Sequence, residues 1–338
     1  MSKIDNITVG ELIELEEKPI TRLRVVLNRI LCASPILAAA LLLFQYFYVP
    51  DFGMNTKTNL YPSLIGFVTV VLSGVFIAGF NSKRAYKFLL KNAPIYTVLI
   101  LGLILYDYNT LKTGRLMMPY FPWPDRILKA IVDDRLLLLD CISHSLILLF
   151  SGFFTGAIAG LITGVLTGWY KRVNYWVSPL LKIIGPIPST TWLPIILIVS
   201  SSLFRGSVFI IALGVWYPVT MTTYSGVSNV KKSFFEVAKT LGAKEFRLIF
   251  KVAIPAAMPN IFQGLTQGMS VACTALIVAE MMGVESGLGW YINWQRGWAE
   301  FAKMYSAVII ICLTFTAVNL VFALIKKRVL RWQEGVVR

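Results

Sequence analysis

The chain has 338 residues, 57% of them hydrophobic and 14% charged, with a mean hydropathy of +0.70. Soluble domains carry about 25% charged residues and do not gather their apolar residues into long runs, so an ordinary soluble fold is excluded. The net charge of +15, from 32 Lys and Arg against 17 Asp and Glu, raises the question of a nucleic-acid partner, and where those charges sit answers it below.

In chain order, the first feature is a tail, residues 1–29. Thr8 with Glu11 makes a capping box ahead of Leu12, Ile13 and Leu15, which predicts a short amphipathic helix. A membrane-crossing helix needs roughly 17–25 mostly apolar residues. Eight apolar runs follow: Ile30–Val49, Leu60–Phe80, Ala93–Tyr106, Ile142–Trp169, Tyr175–Ser200, Ser207–Val227, Ile261–Met282 and Met304–Ile325. The third is the shortest and reads as a short or tilted helix. The first run begins near residue 30 with no A-x-A site after it, so no signal peptide is read.

Place the N-terminus inside and let the chain cross eight times. The inner segments, with Lys182 near the start of the fifth run counted to them, then hold 23 of the 32 basic residues, while the acidic residues divide 8 and 8, with Glu280 left inside a span. That bias is the positive-inside pattern. It predicts that both termini are cytoplasmic, and it accounts for the basic charge with no nucleic acid. Removing the third run would put the Lys83–Lys91 cluster and the later basic loops on opposite sides.

Cys32, Cys141, Cys273 and Cys312 are at least 39 residues apart, which fits neither a zinc site nor a disulfide framework. They read as core thiols. His144 is the only histidine, so a His-rich metal site is excluded, and no G-x-S-x-G accompanies it.

Within the runs, Gly152, Gly156, Gly160, Gly164 and Gly168 repeat every four residues and form one ridge. Such a ridge lets two backbones approach closely, within the chain or across a homodimer. Gln263, Gln267, Ser270 and Thr274 share a helical face, with Glu280 further along. A polar stripe in lipid must face protein or water, so it is either glue between helices or the lining of a solute path. Trp290, Trp294 and Trp298 share another face, as an interfacial anchor or a docking surface.

The loop at 231–255 carries the most specific signal. Ser233 and Glu236 fit a capping box that starts a helix, and Gly242 ends it. A second short helix is expected from about Ala243 to Lys251, with Pro255 breaking before the next span. Phe234, Phe235, Val237 and Leu241 give this helix–turn–helix an apolar side that needs a protein partner.

This stretch resembles the coupling loop of permease subunits of ATP-binding-cassette importers, whose pattern is E-A-A, three residues, G, nine residues, then I-x-L-P. Glu236, Val237 and Ala238 stand for E-A-A, Gly242 is in register, and Val252, Ile254 and Pro255 close the pattern. Gly185-Pro-Ile-Pro-Ser-Thr-Thr-Trp-Leu-Pro194, Val278-Ala-Glu-Met-Met-Gly283, Ser286-Gly-Leu-Gly289 and the Pro119–Pro124 entry to a short helix look like segments of nitrate/sulfonate/taurine-type permeases.

The resemblance implies an all-α polytopic membrane protein of type I importer architecture. It has about eight spans, a six-span permease domain at 93–338 preceded by two extra helices at 30–92. It implies a multi-pass subunit of the plasma (inner, cytoplasmic) membrane. Glu236, Val237, Ala238, Leu241, Gly242 and Pro255 would contact a separate cytoplasmic ATPase. Gln263, Gln267, Ser270, Thr274 and Glu280 would lie along the path of a small solute, such as nitrate, a sulfonate or taurine. The partners implied are ABC ATPase subunits, a second permease copy, an extracytoplasmic solute-binding protein and membrane lipid. No G-x-x-x-x-G-K-[ST] occurs, so the chain is read as a transport subunit and not an enzyme; it binds no cofactor, and ATP and Mg belong to the partner ATPase. The competing classes are a secondary transporter, which would place several ionisable residues at midplane in repeated halves, and a membrane enzyme, for which no clustered site is present.

Overall fold

The computed structural model describes residues 22–53 and 57–332. The tail helix expected around Thr8 and Glu11 lies outside the described residues. Every regular element among them is a helix. Seven helices are long and apolar enough to cross a membrane, or eight if one bent pair is counted as a single span. The chain forms two compact units, residues 1–129 and 130–338.

The first unit is built from α1 (Arg22–Tyr48), α2 (Leu60–Asn81) and α3 (Lys83–Asp107), the last extended by a π-helical turn, Tyr108–Lys112. The third apolar run is therefore not a short helix. Lys83, Arg84, Lys87 and Lys91 truncate the apolar window but are good helix formers, so α3 begins at Lys83. It packs with α1 and α2 around Leu42, Tyr46, Tyr61, Ile100 and Leu111, so by packing the unit ends at Lys129, whereas the boundary read from the sequence stood at 92/93.

The loop after α1 is fastened by buried polar groups. The Lys112 ammonium donates to the carbonyls of Tyr46 (2.9 Å) and Val49 (2.7 Å) and pairs with Asp51 at 2.8 Å. Burial would raise the Asp51 carboxyl, but hydrogen bonds from Lys112 and Lys57 hold it below its ordinary value. Asp125 accepts from the Thr58 hydroxyl at 2.7 Å and the Tyr61 amide at 3.1 Å, which anchors the start of α2.

The boundary between the units falls within α4 (Pro124–Asp133), which leads into α5 (Arg135–Trp169) of the second unit. The glycine ridge of α5 packs within the chain, on α8 (Leu203–Ser228). A Cβ on Gly152 would stand 2.5 Å from Ile211, on Gly160 2.8 Å from Val219, on Gly164 2.6 Å from Thr223 and on Gly168 2.8 Å from Val227. On Gly156 it would collide with the Ala212 carbonyl oxygen. Both partner series advance together, so α5 and α8 run in the same direction. Thr163 and Thr220 bridge them at 2.8 Å, and the Trp216 indole donates to Thr163 at 3.0 Å.

Because α5 and α8 are parallel, residues 170–202 must return from the Trp169 end of α5 to the other end. They do so as a broken span. The expected single helix at Tyr175–Ser200 is instead α6 (Lys171–Ile184), a 3-10 turn at Ser189–Trp192 and α7 (Leu193–Val199), bent by 84°. Gly185, Pro186 and Pro188 cause the break. Proline cannot continue the i to i−4 ladder, and it also removes two backbone N–H groups that would otherwise need partners in the apolar layer.

After α8 come α9 (Lys232–Thr240), α10 (Glu245–Leu248), a π-helical turn at Ile249–Ala253 and α11 (Ile254–Gly283). From Glu245 to Gly283 the chain is a single 39-residue helical run. Pro255 does not break it: the π-helical turn at Ile249–Ala253 puts the hydrogen-bond ladder out of step just before it, and Pro255 falls in the first turn of the α-helical register that follows. The unit closes with α12 (Leu288–Gly297) and α13 (Phe301–Val329).

Candidate functional site

At the break in the fifth span a cavity of about 660 Å³ opens between Gly185–Thr190, the middle of α8 and one face of α11. Ser189, Thr190, Tyr217, Gln267, Ser270 and Thr274 supply its polar groups, and Ile184, Ile187, Leu213 and Val271 its apolar walls. An apolar chamber with a few convergent polar groups beside a broken helix is how a solute site is built in a membrane. Close approach of the backbones shapes it. A Cβ on Gly214 would stand 2.7 Å from the Ser189 hydroxyl and 2.9 Å from Val271. The Ser270 and Thr274 hydroxyls donate to the carbonyls four residues back, at 3.3 and 3.2 Å. Their oxygens therefore remain available as acceptors while no donor is left bare.

Of the polar stripe read from the sequence, Gln267, Ser270 and Thr274 line this cavity. Gln263 lies one turn nearer the start of α11, exposed and outside the lining. Glu280 does not reach the cavity. It is 1% exposed and held by the Ser145 hydroxyl at 2.6 Å and the Gly289 amide at 2.8 Å. The Leu288 amide donates to Ser145 at 2.9 Å. Two first-turn N–H groups of α12, which a helix leaves unpaired, are thus satisfied, and a carboxylate sits where the helix dipole favours one. Gly287, at φ +135°, and Gly289 are glycines because a Cβ on either would meet Glu280. This gives the Ser286-Gly-Leu-Gly289 segment its physical content, and no periodicity in the sequence could have paired it with Ser145.

The helix of the 231–255 loop starts two residues earlier than its sequence predicts. Lys231 is the N-cap and no side chain caps the helix, so the Ser233–Glu236 capping box is not formed. Its end is as expected. Gly242 is left-handed at φ +75°, and the amides of Gly242 and Ala243 return to the carbonyls of Lys239 (2.9 Å) and Ala238 (3.0 Å), the glycine C-cap. Phe235 turns inward onto Trp169, with ring centroids 5.5 Å apart, and the Trp169 indole donates to Glu245 at 3.0 Å. Phe234, Val237, Leu241, Phe246 and Phe250 are left exposed, Leu241 at 83%. Glu236 with Lys232 and Lys239 rims a groove beside Ala243.

At the opposite end of α5, Tyr291 donates to Asp134 at 2.6 Å and Lys303 pairs with the same carboxylate at 2.9 Å. Burial works against the charge on Asp134, yet these two contacts hold its carboxyl below the ordinary range, and burial beside that carboxylate raises the Tyr291 hydroxyl. Trp290, Trp294 and Trp298 stack along α12, with centroid spacings of 5.6 and 6.2 Å. Trp294 and Trp298 are exposed.

The family described as "Binding-protein-dependent transport system inner membrane component" matches residues 156–334. The putative aliphatic sulfonates transport permease protein SsuC of Bacillus subtilis is 32% identical over 168 residues, 50% of this chain and 61% of that one. A putative ABC transporter permease protein of Methanocaldococcus jannaschii is 30% identical over 177 residues, 52% of this chain and 66% of that one. The match thus spans less than two thirds of each of these two relatives. The taurine transport system permease protein TauC of Escherichia coli is 23% identical over 244 residues, 70% of this chain and 89% of that one. Among solved structures, a chain of an amino acid ABC transporter superposes with a TM-score of 0.50 at 19% identity, covering 60% of this chain and 97% of that one.

Proposed function

The chain belongs to the family of binding-protein-dependent transport system inner membrane components, and on that premise we propose that it is the permease subunit of a type I ABC importer for a small organic anion of the sulfonate or taurine class. The observation that carries the reading is the cavity at the broken fifth span, lined by Gln267, Ser270 and Thr274 and set in the same unit as an exposed apolar helix–turn at 232–242. The solute class rests on the sulfonate and taurine relatives.

In this reading Glu236, Val237, Ala238, Leu241, Gly242 and Pro255 belong to the segment that docks on a separate ATPase. The chain itself hydrolyses nothing and binds no nucleotide. Phe234, Val237 and Leu241, exposed on one short helix, are the apolar surface such a partner would cover. A second copy of the chain completes the path, a solute-binding protein delivers the solute from outside, and residues 30–92 are an addition in front of a permease domain at 93–338. The loop end of the second unit then faces the cytoplasm with both termini, as the charge bias requires.

The test is reconstitution with an ABC ATPase and a solute-binding protein that assemble with it, in liposomes supplied with radiolabelled taurine. ATP-dependent accumulation is the expected result. Accumulation driven by a proton or sodium gradient without ATP would replace the importer with a secondary transporter.

A further inference from the structure

A second cavity, of about 340 Å³, adjoins the first on the side toward the Trp169 end of α5. Thr167, Asn174, Ser178, Lys182, Tyr217 and Tyr224 line it. Tyr217 faces both cavities, and its hydroxyl end lies over Gly185, where a Cβ would collide with it. The two spaces therefore share one wall residue, a tyrosine.

Lys182 is the only ionisable cation in either lining. It sits three residues before the break, facing Tyr217 and Tyr224, which lie 11 and 4 residues from the Ser228 end of α8. At about 1.5 Å per residue that is roughly 6–17 Å along the helix. Among the described residues no carboxylate pairs with it, and Glu280, the acidic residue of α11, is committed to Ser145 and Gly289. A lysine in the last turn of a helix offsets the helix dipole, and Lys182 is exposed, so its ammonium is open to a ligand in this space. The surroundings fit an anion. The Tyr224 hydroxyl accepts from the Asn174 amide at 3.3 Å, which leaves its own proton to donate, and the hydroxyls of Tyr217 and Ser178 border the same space.

We propose that Lys182, with the hydroxyls of Tyr217, Tyr224 and Ser178, forms an anion-staging vestibule that selects small oxyanions after they pass the cavity at the break. This deepens the importer reading above and rests on it. One ammonium with neutral hydroxyl donors attracts an oxyanion without the multiple charges that would trap it, as a pathway requires.

The test measures the field in the vestibule directly. Ser178→Cys is placed in the complete complex in inside-out vesicles. Its modification rates are compared for 2-sulfonatoethyl and 2-(trimethylammonium)ethyl methanethiosulfonate, each relative to a free thiol. With Lys182 present, the anionic reagent should be favoured by about tenfold or more. Lys182→Arg should keep the preference and Lys182→Gln should abolish it. An equal ratio in the Lys and Gln proteins overturns the proposal. If Lys182→Gln does not assemble, raising the ionic strength from about 0.01 to 1 M in the Lys182 protein must erase the preference; persistence overturns it. Taurine uptake in parallel separates the two readings. Its absence in the unmodified complex counts against the importer reading, whereas a preserved rate with Lys182→Gln counts against the vestibule alone.

Discussion

Ser145 and Glu280, 135 positions apart in the sequence, meet at 2.6 Å in the buried end of the bundle. Glu280 accepts from Ser145 and Gly289, and Ser145 accepts from Leu288, so one carboxylate and one hydroxyl fasten α5, α11 and the start of α12. Glu280→Gln turns one acceptor into a donor facing a serine that already has a donor. Leaving a buried group unpaired costs about 1–3 kcal/mol. Thermal unfolding in detergent should fall for Glu280→Gln and fall further for Gly289→Ala, whose Cβ meets Glu280 and the Ile277 carbonyl. Unchanged midpoints in both would mean the carboxylate does not hold α12.

The glycine ridge makes a sharper mechanical prediction. Gly156→Val must push α5 off the Ala212 carbonyl, an overpacking of about 1–3 kcal/mol or more. Gly74→Ala is the control, because nothing lies within 4 Å of a Cβ there. Yield and melting should drop for the first and hold for the second. If Gly156→Val changed only the dimer fraction on sizing, the ridge would face another copy rather than α8.

Along the proposed path, Gln267→Leu should lower uptake by about tenfold while the complex still assembles, since the side chain lines the cavity and is no part of the core. Gln263→Leu, one turn outside the lining, should have the smaller effect. Equal losses, or loss of assembly with Gln267→Leu, would return the stripe to a packing role.

At the loop, Gly242→Val and Ala238→Trp test the ATPase contact in different ways. Gly242 has open space around a Cβ but stands at φ +75°, so the valine penalty is purely conformational, about 1–2 kcal/mol, and Gly242→Asn should be mild. Ala238→Trp places bulk on a small, half-buried position of α9. Both severe variants should insert normally and lose solute-stimulated ATP hydrolysis in the reconstituted complex. Full stimulation in both would leave the loop a surface element with no coupling role.

Orientation is checked by labelling. Met117→Cys, in an exposed loop after α3, should react with an impermeant thiol reagent from outside intact cells, and Ser82→Cys should not. The reverse pattern would invert the proposed topology.

The sequence and the structure agree where one residue's own backbone decides the outcome. Gly242 had to end a helix because only glycine enters the left-handed region freely. The ridge from Gly152 to Gly168 had to meet a close partner because five absent side chains leave a groove. The break at Gly185–Pro188 was present in the letters but hidden by the apolarity around it, since a hydropathy window weighs side chains and ignores missing N–H groups. The capping box at Ser233 failed because a local pattern states only what a side chain can reach, and the helix began two residues before it. The placement of Glu280 depended on Ser145 and Gly289, and no periodicity within one helix encodes a partner on another.

The unbroken run from Glu245 to Gly283 has a mechanical consequence. At about 1.5 Å per residue its 39 residues make a rod close to 60 Å long. One end is tied by Glu245 to Trp169, the middle carries Gln267, Ser270 and Thr274, and the far end is pinned by Glu280. A torque applied where Glu245 emerges must either turn the cavity wall and strain the pin at Glu280, or be absorbed in the π-helical turn at 249–253, where the ladder of hydrogen bonds is already out of step. In the proposed importer that five-residue turn would act as a clutch, and the stiffness of those residues would set how much of a push on the loop arrives at the chamber.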